Sequence, residues 1–364
     1  MGLLQPSTRT LYLREQRKIK GRRLLGVFPA IYPKELLWAM DILPVEIWDP
    51  PLHISHADAH LQTHVCSVVR LGLELILQGK CDEIDGFLFP HTCDSMQNLS
   101  SIINDFLGLG KPCFFLYHPR TDFRGPSNLY YLEQLKELAS QMQEPFGSLD
   151  YEKLRQSVEE GGKITSLLNR IYDMRAKGTL NASNEEFYHV IRQGEFLHSG
   201  DFILLLKNFM DRSEGESGKG PAVVLSGILP NPPEILSFLD RSGVRVADDD
   251  LLSCGRRFSR ASGRVDDPFV EMSEDYFSLS CATRNATNME RIESLVQKVN
   301  RCNASGVLFN VVKFCEPELF ELPLLLAAME KEGIKTLVME SEPNQLFDGR
   351  LATRLEAFIE MIKA

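Results

Sequence analysis

Short apolar runs and stretches of helical periodicity alternate along almost the whole chain, and no other feature constrains its fold as much. The apolar runs fall at 24–28, 43–48, 86–89 and 113–117, then at 222–226, 244–247, 306–311 and 336–339. Between them lie helix-periodic stretches such as 34–40, 68–78, 290–299 and 323–332. Alternation of this kind predicts an α/β protein whose parallel strands are joined by right-handed helical crossovers. Residues 130–212 break the rhythm, being charged, poor in strand and helix-periodic. The Gly-, Ser- and charge-rich stretch 213–220 closes that block and reads as a linker.

The two α/β blocks resemble each other. Gly26-Val27-Phe28-Pro29 leads to Pro33, to Glu35-Leu36-Leu37 and to a strand ending at Trp48. Leu225-Ser226-Gly227-Ile228 leads to Pro233, to Glu234-Ile235-Leu236 and to a strand ending near Asp248. Cys66 opens a helix that closes at Cys81, just before Gly86 and its strand; Cys281 precedes a helix that closes at Cys302, just before Gly306 and its strand. Each of those strands is followed by a cysteine, Cys93 in the first block and Cys315 in the second. Any two α/β blocks share some likeness, but cysteines in register favour duplication. The expectation is two related Rossmann-like parallel-sheet domains facing each other. The expected division is a basic helical arm (1–23), a first α/β domain (24–129), a helical connecting segment (130–219) and a second α/β domain (220–364).

Charge narrows the partners. The 364 residues carry a net charge of −10, which argues against a general nucleic-acid binder. The arm is the exception: Arg9, Arg14, Arg17, Lys18, Lys20, Arg22 and Arg23 stand against Glu15 alone. With 43% hydrophobic residues the chain has ample material for packed cores. No apolar run approaches the length of a membrane span, and the N-terminus lacks the apolar stretch of a secretory signal. Pro6 stands where an acylation motif after Met1-Gly2 needs Ser or Thr. These features predict a cytoplasmic protein, whose eight cysteines are thiols, catalytic groups or metal ligands rather than a disulfide framework.

In open parallel sheets, ligands bind beyond the carboxyl ends of the strands. Cys93, in Phe89-Pro90-His91-Thr92-Cys93-Asp94, directly follows a strand, and Cys315, in Val312-Lys313-Phe314-Cys315-Glu316-Pro317, holds the equivalent place in the second block. Cys66 begins a helix after a loop holding His53, His56, His60 and His64. Free N–H groups at helix N-termini favour thiolate charge. Three thiolates converging from three loops would suit an iron–sulfur cluster with an open fourth position. Cys113 and Cys254, and Cys81 and Cys302 at matching helix ends, read as packing residues. The histidines lack finger-type cysteine partners and an H-E-x-x-H pattern, so they read as solvated or capping. Gly215-Glu216-Ser217-Gly218-Lys219-Gly220 lacks phosphate-loop spacing and precedes a strand, and no strand is followed by G-x-G-x-x-G.

In order and spacing, a longer set of residues resembles one family. Pro33-x-Glu35-Leu36 and Leu43-Pro44 are followed by Cys66 with Arg70, then Thr92-Cys93-Asp94 with Asn98-Leu99. Asp249-Asp250, Arg256-Arg257 and Lys313-Phe314-Cys315-Glu316-Pro317-Glu318 come next. The tail carries Glu340-x-Glu342 and Gly349-Arg350-x-x-Thr353-Arg354-x-Glu356-Ala357-Phe358. Across nearly its whole length the chain resembles the cluster-bearing component of the 2-hydroxyacyl-CoA dehydratases and of the related ATP-dependent benzoyl-CoA reductases.

That resemblance implies one [4Fe–4S] cluster held through three cysteines, which by position are Cys66, Cys93 and Cys315. It further implies a heterodimer with a homologous second subunit, a separate ATP-dependent iron–sulfur activator that delivers one electron, and a CoA thioester as substrate. The implied reaction is elimination of water through a ketyl radical. Reduction of an aromatic acyl-CoA is the alternative, as is a non-catalytic electron-relay or double-cubane protein. The chain is short for the family, which favours the relay subunit over the substrate-binding one. Cys281, matching Cys66 in the repeat, reads as a packing residue before a fourth ligand.

Overall fold

A computed structural model of the chain describes residues 6–119, 124–258, 265–279 and 289–364. Cys281 lies outside these residues. Helix α1 (Pro6–Lys18) precedes strand β1 (Arg23–Val27), α2 (Lys34–Ala39) and β2 (Ile42–Glu46). Next come α3 (Ser67–Leu77), β3 (Gly86–Pro90), α4 (Asp94–Ser101) and β4 (Cys113–Leu116). The four strands are parallel in the order β2-β1-β3-β4. Every residue of β2 and β3 is buried, as are the last four of β1. That burial explains why these strands read as unbroken apolar runs rather than alternating ones.

Four helices follow: α5 (Arg124–Phe146), α6 (Tyr151–Lys177), α7 (Asn184–Arg192) and α8 (Ser199–Arg212). The Asp150 side chain caps α6 by accepting from the Glu152 N–H at 2.9 Å, and Gly178 ends it in the left-handed conformation at φ +72°. This long helix packs on α2, α8, α10 and β6. Its buried Arg175 donates to the Val246 carbonyl at 2.9 Å, fixing the helical segment to the second sheet.

The second sheet contains β5 (Ala222–Gly227), β6 (Arg245–Leu251), β7 (Gly306–Val312) and β8 (Lys335–Ser341). The helices α9 (Glu234–Arg241), α10 (Pro268–Ser278), α11 (Met289–Arg301), α12 (Glu316–Lys331) and α13 (Gly349–Lys363) accompany it. Its order, β6-β5-β7-β8, repeats that of the first sheet, again with every pairing parallel. All eight predicted strands are present, in two four-stranded parallel sheets, and the α/β reading holds. Among the described residues no helix is long and apolar enough to cross a membrane.

One helix differs from its sequence expectation. The 323–332 stretch belongs to a helix that starts seven residues earlier, at Glu316. Pro317 falls in the first turn, where its missing N–H breaks no helical bond. Pro323 does lie inside the helix, on its exposed side. The earlier start matters because it makes Cys315 the cap of α12.

Candidate functional site

The three candidate cysteines share one local construction. Cys66, Cys93 and Cys315 are the N-cap residues of α3, α4 and α12, each with the extended backbone a cap requires. No sulfur makes a capping hydrogen bond. First-turn amides nevertheless bear on each of them: Val68 and Val69 on Cys66, Ser95 and Met96 on Cys93, Glu318 on Cys315. Cys315 is presented by Phe314, whose φ of +61° is rare for a bulky side chain and is held by the tight turn after β7.

The structure brings all three to one cavity of about 60 Å³ at the carboxyl ends of both sheets. Pro29, Trp48 and Met96 face it from the first half, and Ile228, Leu252 and Arg256 from the second. At its rim β5 ends in Gly227, at φ +147°, where an added Cβ would stand 2.2 Å from the Asn310 carbonyl oxygen. Only glycine lets the chain turn there so close to β7. Three larger clefts, of about 660, 460 and 130 Å³, contain none of the three thiols.

Burial pushes the Cys66 thiol up to about 12, with the Cys93 charge adding to the effect. Burial also raises Cys93, and it raises Cys315 strongly, where Cys66 and Glu318 add their charges. Thiols so placed stay protonated and are poor nucleophiles; they become thiolates when a metal supplies the compensating charge. Among the described residues no group of three or more His, Cys, Asp or Glu side chains is placed to hold a single metal ion. A cuboidal cluster asks for something different, since each thiolate binds its own iron and the sulfurs stand apart around the core. Two buried thiols and one half-buried thiol at helix N-termini, around a mainly apolar cavity, fit such a group.

The other sequence candidates fall elsewhere. Cys254 is fully buried, and the Cys302 thiol donates to the Lys298 carbonyl at 3.0 Å, as packing residues do. His53, His56, His60 and His64 are exposed. Their loop is tied down by buried Glu74, which accepts from the backbone N–H groups of Ser55, His56 and Ala57 at 2.8–3.0 Å and meets His56 Nδ1 at 2.8 Å.

Sequence reasoning gave no role to a buried charged network that reaches the cavity through Arg256 and Glu318. The acids Asp248-Asp249-Asp250 are all buried in β6. Asp248 meets Lys298 at 3.3 Å and Arg301; Asp249 accepts from the hydroxyls of Tyr172 and Tyr188 at 2.6 and 3.0 Å. Asp250 accepts from Ser226 at 2.9 Å, Arg256 at 3.1 Å and Arg291 at 3.0 Å. Burial opposes the Asp250 charge, but the two guanidiniums hold its carboxyl down to about 2. Elsewhere in the first half, Glu46 accepts from Trp48 Nε1 at 2.6 Å, Tyr32 at 2.9 Å and Arg257 at 2.8 Å, and of these Trp48 also faces the cavity. Three consecutive acids directly after the predicted strand 244–247 were the available signal: the strand runs on through them to Leu251, and such a run can be buried only with matched partners.

Residues 29–362 match the family described as 2-hydroxyglutaryl-CoA dehydratase, D-component. The chain is similar to the (R)-phenyllactyl-CoA dehydratase beta subunit of Clostridium sporogenes, at 20% identity over 96% of this chain and 95% of that one. It is 23% identical to the lactoyl-CoA dehydratase subunit beta of Anaerotignum propionicum, over 94% and 92% of the two chains. A benzoyl-CoA reductase subunit of Thauera aromatica is 26% identical over 84% and 82%.

Proposed function

The chain belongs to the 2-hydroxyglutaryl-CoA dehydratase D-component family, and from that premise we propose that it is the iron–sulfur subunit of a 2-hydroxyacyl-CoA dehydratase-type enzyme. The observation that carries the reading is the meeting of Cys66, Cys93 and Cys315, from both halves, at one buried cavity. These three residues would hold a [4Fe–4S] cluster. When bound, it supplies single electrons at low potential and, at an iron without a thiolate, a Lewis acid for a thioester carbonyl.

The rest of the site is work for the chain itself. First-turn amides of α3, α4 and α12 favour negative charge on the sulfurs. Pro29, Met96, Ile228 and Leu252 keep water from the cavity. The reaction proposed is loss of water from a 2-hydroxyacyl-CoA: a separate ATPase provides one electron, the thioester becomes a ketyl radical anion that expels the neighbouring hydroxyl as hydroxide, a proton leaves the β-carbon, and the electron is handed back, so that the elimination is redox-neutral. Relatives named as beta subunits support a place beside a second subunit in a multi-component enzyme; that the partner is homologous and the enzyme cytoplasmic is part of the proposal. The 26% identity to a benzoyl-CoA reductase subunit favours, as second reading, the same scaffold serving reduction of an aromatic acyl-CoA.

Anaerobic purification with the partner subunit tests the proposal. The expected result is an oxygen-labile brown protein with about four irons and matching sulfide per chain. A chain free of iron and sulfide under those conditions overturns it.

A further inference from the structure

We propose that Arg256 is a positioning residue that fixes the charge beside Cys315, and that it thereby sets the potential at which the centre accepts an electron; this rests on the cluster reading above. Cys315 caps α12 and Glu318 is the third residue of that helix. Glu318 brings two opposite charges near the sulfur: its backbone N–H belongs to the first turn of the helix that Cys315 caps, and its side chain lines the same cavity as the thiol. What decides the balance is where the carboxylate is held. Arg256 Nη1 donates to it at 2.6 Å, and Arg291 Nη2 at 3.0 Å.

Arg256 is only 3% exposed and lines the cavity with the three thiols. Its other nitrogens are committed as well, to the Asp250 carboxylate at 3.1 Å, the Asp250 carbonyl at 2.7 Å and the Gly227 carbonyl at 2.8 Å. One guanidinium thus joins the end of β5, the end of β6 and the first turn of α12. Arg291 reaches Asp250, Glu318 and Glu321 from α11. Two guanidiniums are therefore shared among three carboxylates. A buried ionic group of this kind adds little net stability over an apolar replacement, so its place beside the cavity calls for another reason.

Net charge and hydrogen bonding near the sulfurs are what tune cluster potentials. Loss of the guanidinium leaves Asp250 and Glu318 under-compensated, and in a low-dielectric setting their field disfavours an added electron. Lysine keeps the charge but not the fork that grips both carboxylates.

The test is a redox titration, followed by electron paramagnetic resonance, of the anaerobically purified heterodimer carrying Arg256→Gln, Arg256→Lys or Glu318→Gln. The midpoint should fall in Arg256→Gln, recover in part in Arg256→Lys, and rise in Glu318→Gln. Opposite signs at the two ends of one ion pair are not produced by loosened packing. Should Arg256→Gln fail to hold its cluster, the other two variants carry the test. Unchanged midpoints, or shifts of the same sign at both positions, overturn the role of Arg256. A wild-type chain without iron overturns the cluster reading itself, a separate outcome.

Discussion

Glu46, at the end of β2, and Arg257, in the loop after β6, meet at 2.8 Å although 211 residues separate them. The carboxylate is fully enclosed and the guanidinium nearly so. The same carboxylate meets Lys34 at 2.8 Å, while Trp48, which donates to it, faces the cavity that holds the thiols. The two halves are therefore locked by a buried ion pair immediately behind the candidate site. The neighbouring Asp49 extends the lock, accepting from Arg192 at 2.6 Å and from Asn231 at 2.6 Å.

Breaking that pair should cost about 3–5 kcal/mol, because it strands a buried charge. Arg257→Met is the direct test, read by chemical denaturation. The pH dependence has a definite sign. Burial opposes the Glu46 charge, yet Arg257 and Lys34 hold its carboxyl below the ordinary 4.5, at about 2. Its stabilisation is complete above 4.5 and is lost as the pH falls toward 2. Arg257→Met should flatten that acid limb; equal acid slopes in wild type and variant count against the lock.

Cysteine substitution should separate ligands from packing thiols. Cys93→Ala and Cys315→Ala should each lose most of the bound iron, since a cluster that already lacks one thiolate tolerates the loss of another poorly. Cys113, in an edge strand and away from the cavity, should change iron content little when replaced by Ala. Full iron retention in either Cys93→Ala or Cys315→Ala would remove that residue from the ligand set.

Glu35 makes an opposite pH prediction. Burial pushes its carboxyl up to about 7, and the acids Asp275 and Glu271 add to the effect. The folded chain then binds more protons than the unfolded one between 4.5 and 7, so stability declines across that window and is level above it. Glu35→Gln keeps the shape and removes the ionisation. It should match wild type at pH 5 and be more stable at pH 8 by on the order of 2 kcal/mol. Thermal melts at the two values decide it, and an equal difference at both sinks the assignment. Gly161 supports the same contact from α6: a Cβ there would lie 2.3 Å from Glu35 Oε1, so Gly161→Ala should destabilise at either pH.

Much of this is legible in the sequence because of how parallel sheets are buried. Strands covered on both faces, such as β3 and β7, have to be continuous apolar runs, and loops at their carboxyl ends have to carry the ligands. That logic brings Cys93 and Cys315 forward from local pattern alone. The start of α12 is hidden by Pro317 and Pro323, which read as breaks although one falls in the first turn and the other on the exposed side. The ionic network is hidden for a deeper reason. Pairs such as Glu46 with Arg257, or Arg256 with Glu318, connect residues 211 and 62 positions apart, and periodicity says nothing about partners at that range. Asp248-Asp249-Asp250 even opposes strand propensity; β6 forms because basic and tyrosine side chains from α6, α7 and α11 satisfy those acids.

The role of this protein in the reaction is open to one spectroscopic measurement. A cluster held as proposed, by three cysteines, would leave one iron for water, a small sulfur species or a substrate carbonyl. If this chain binds substrate, a matched CoA thioester displaces that ligand and alters the absorption or magnetic spectrum of its cluster. If it relays electrons, the thioester leaves that spectrum as it was. The relay role is the one proposed here. Mixing the reduced heterodimer with its thioester should therefore perturb only the partner's signal. The two signals are distinguished by preparing the heterodimer with Cys315→Ala in this chain alone. A thioester-dependent change that disappears in that preparation would give this chain the substrate-binding role.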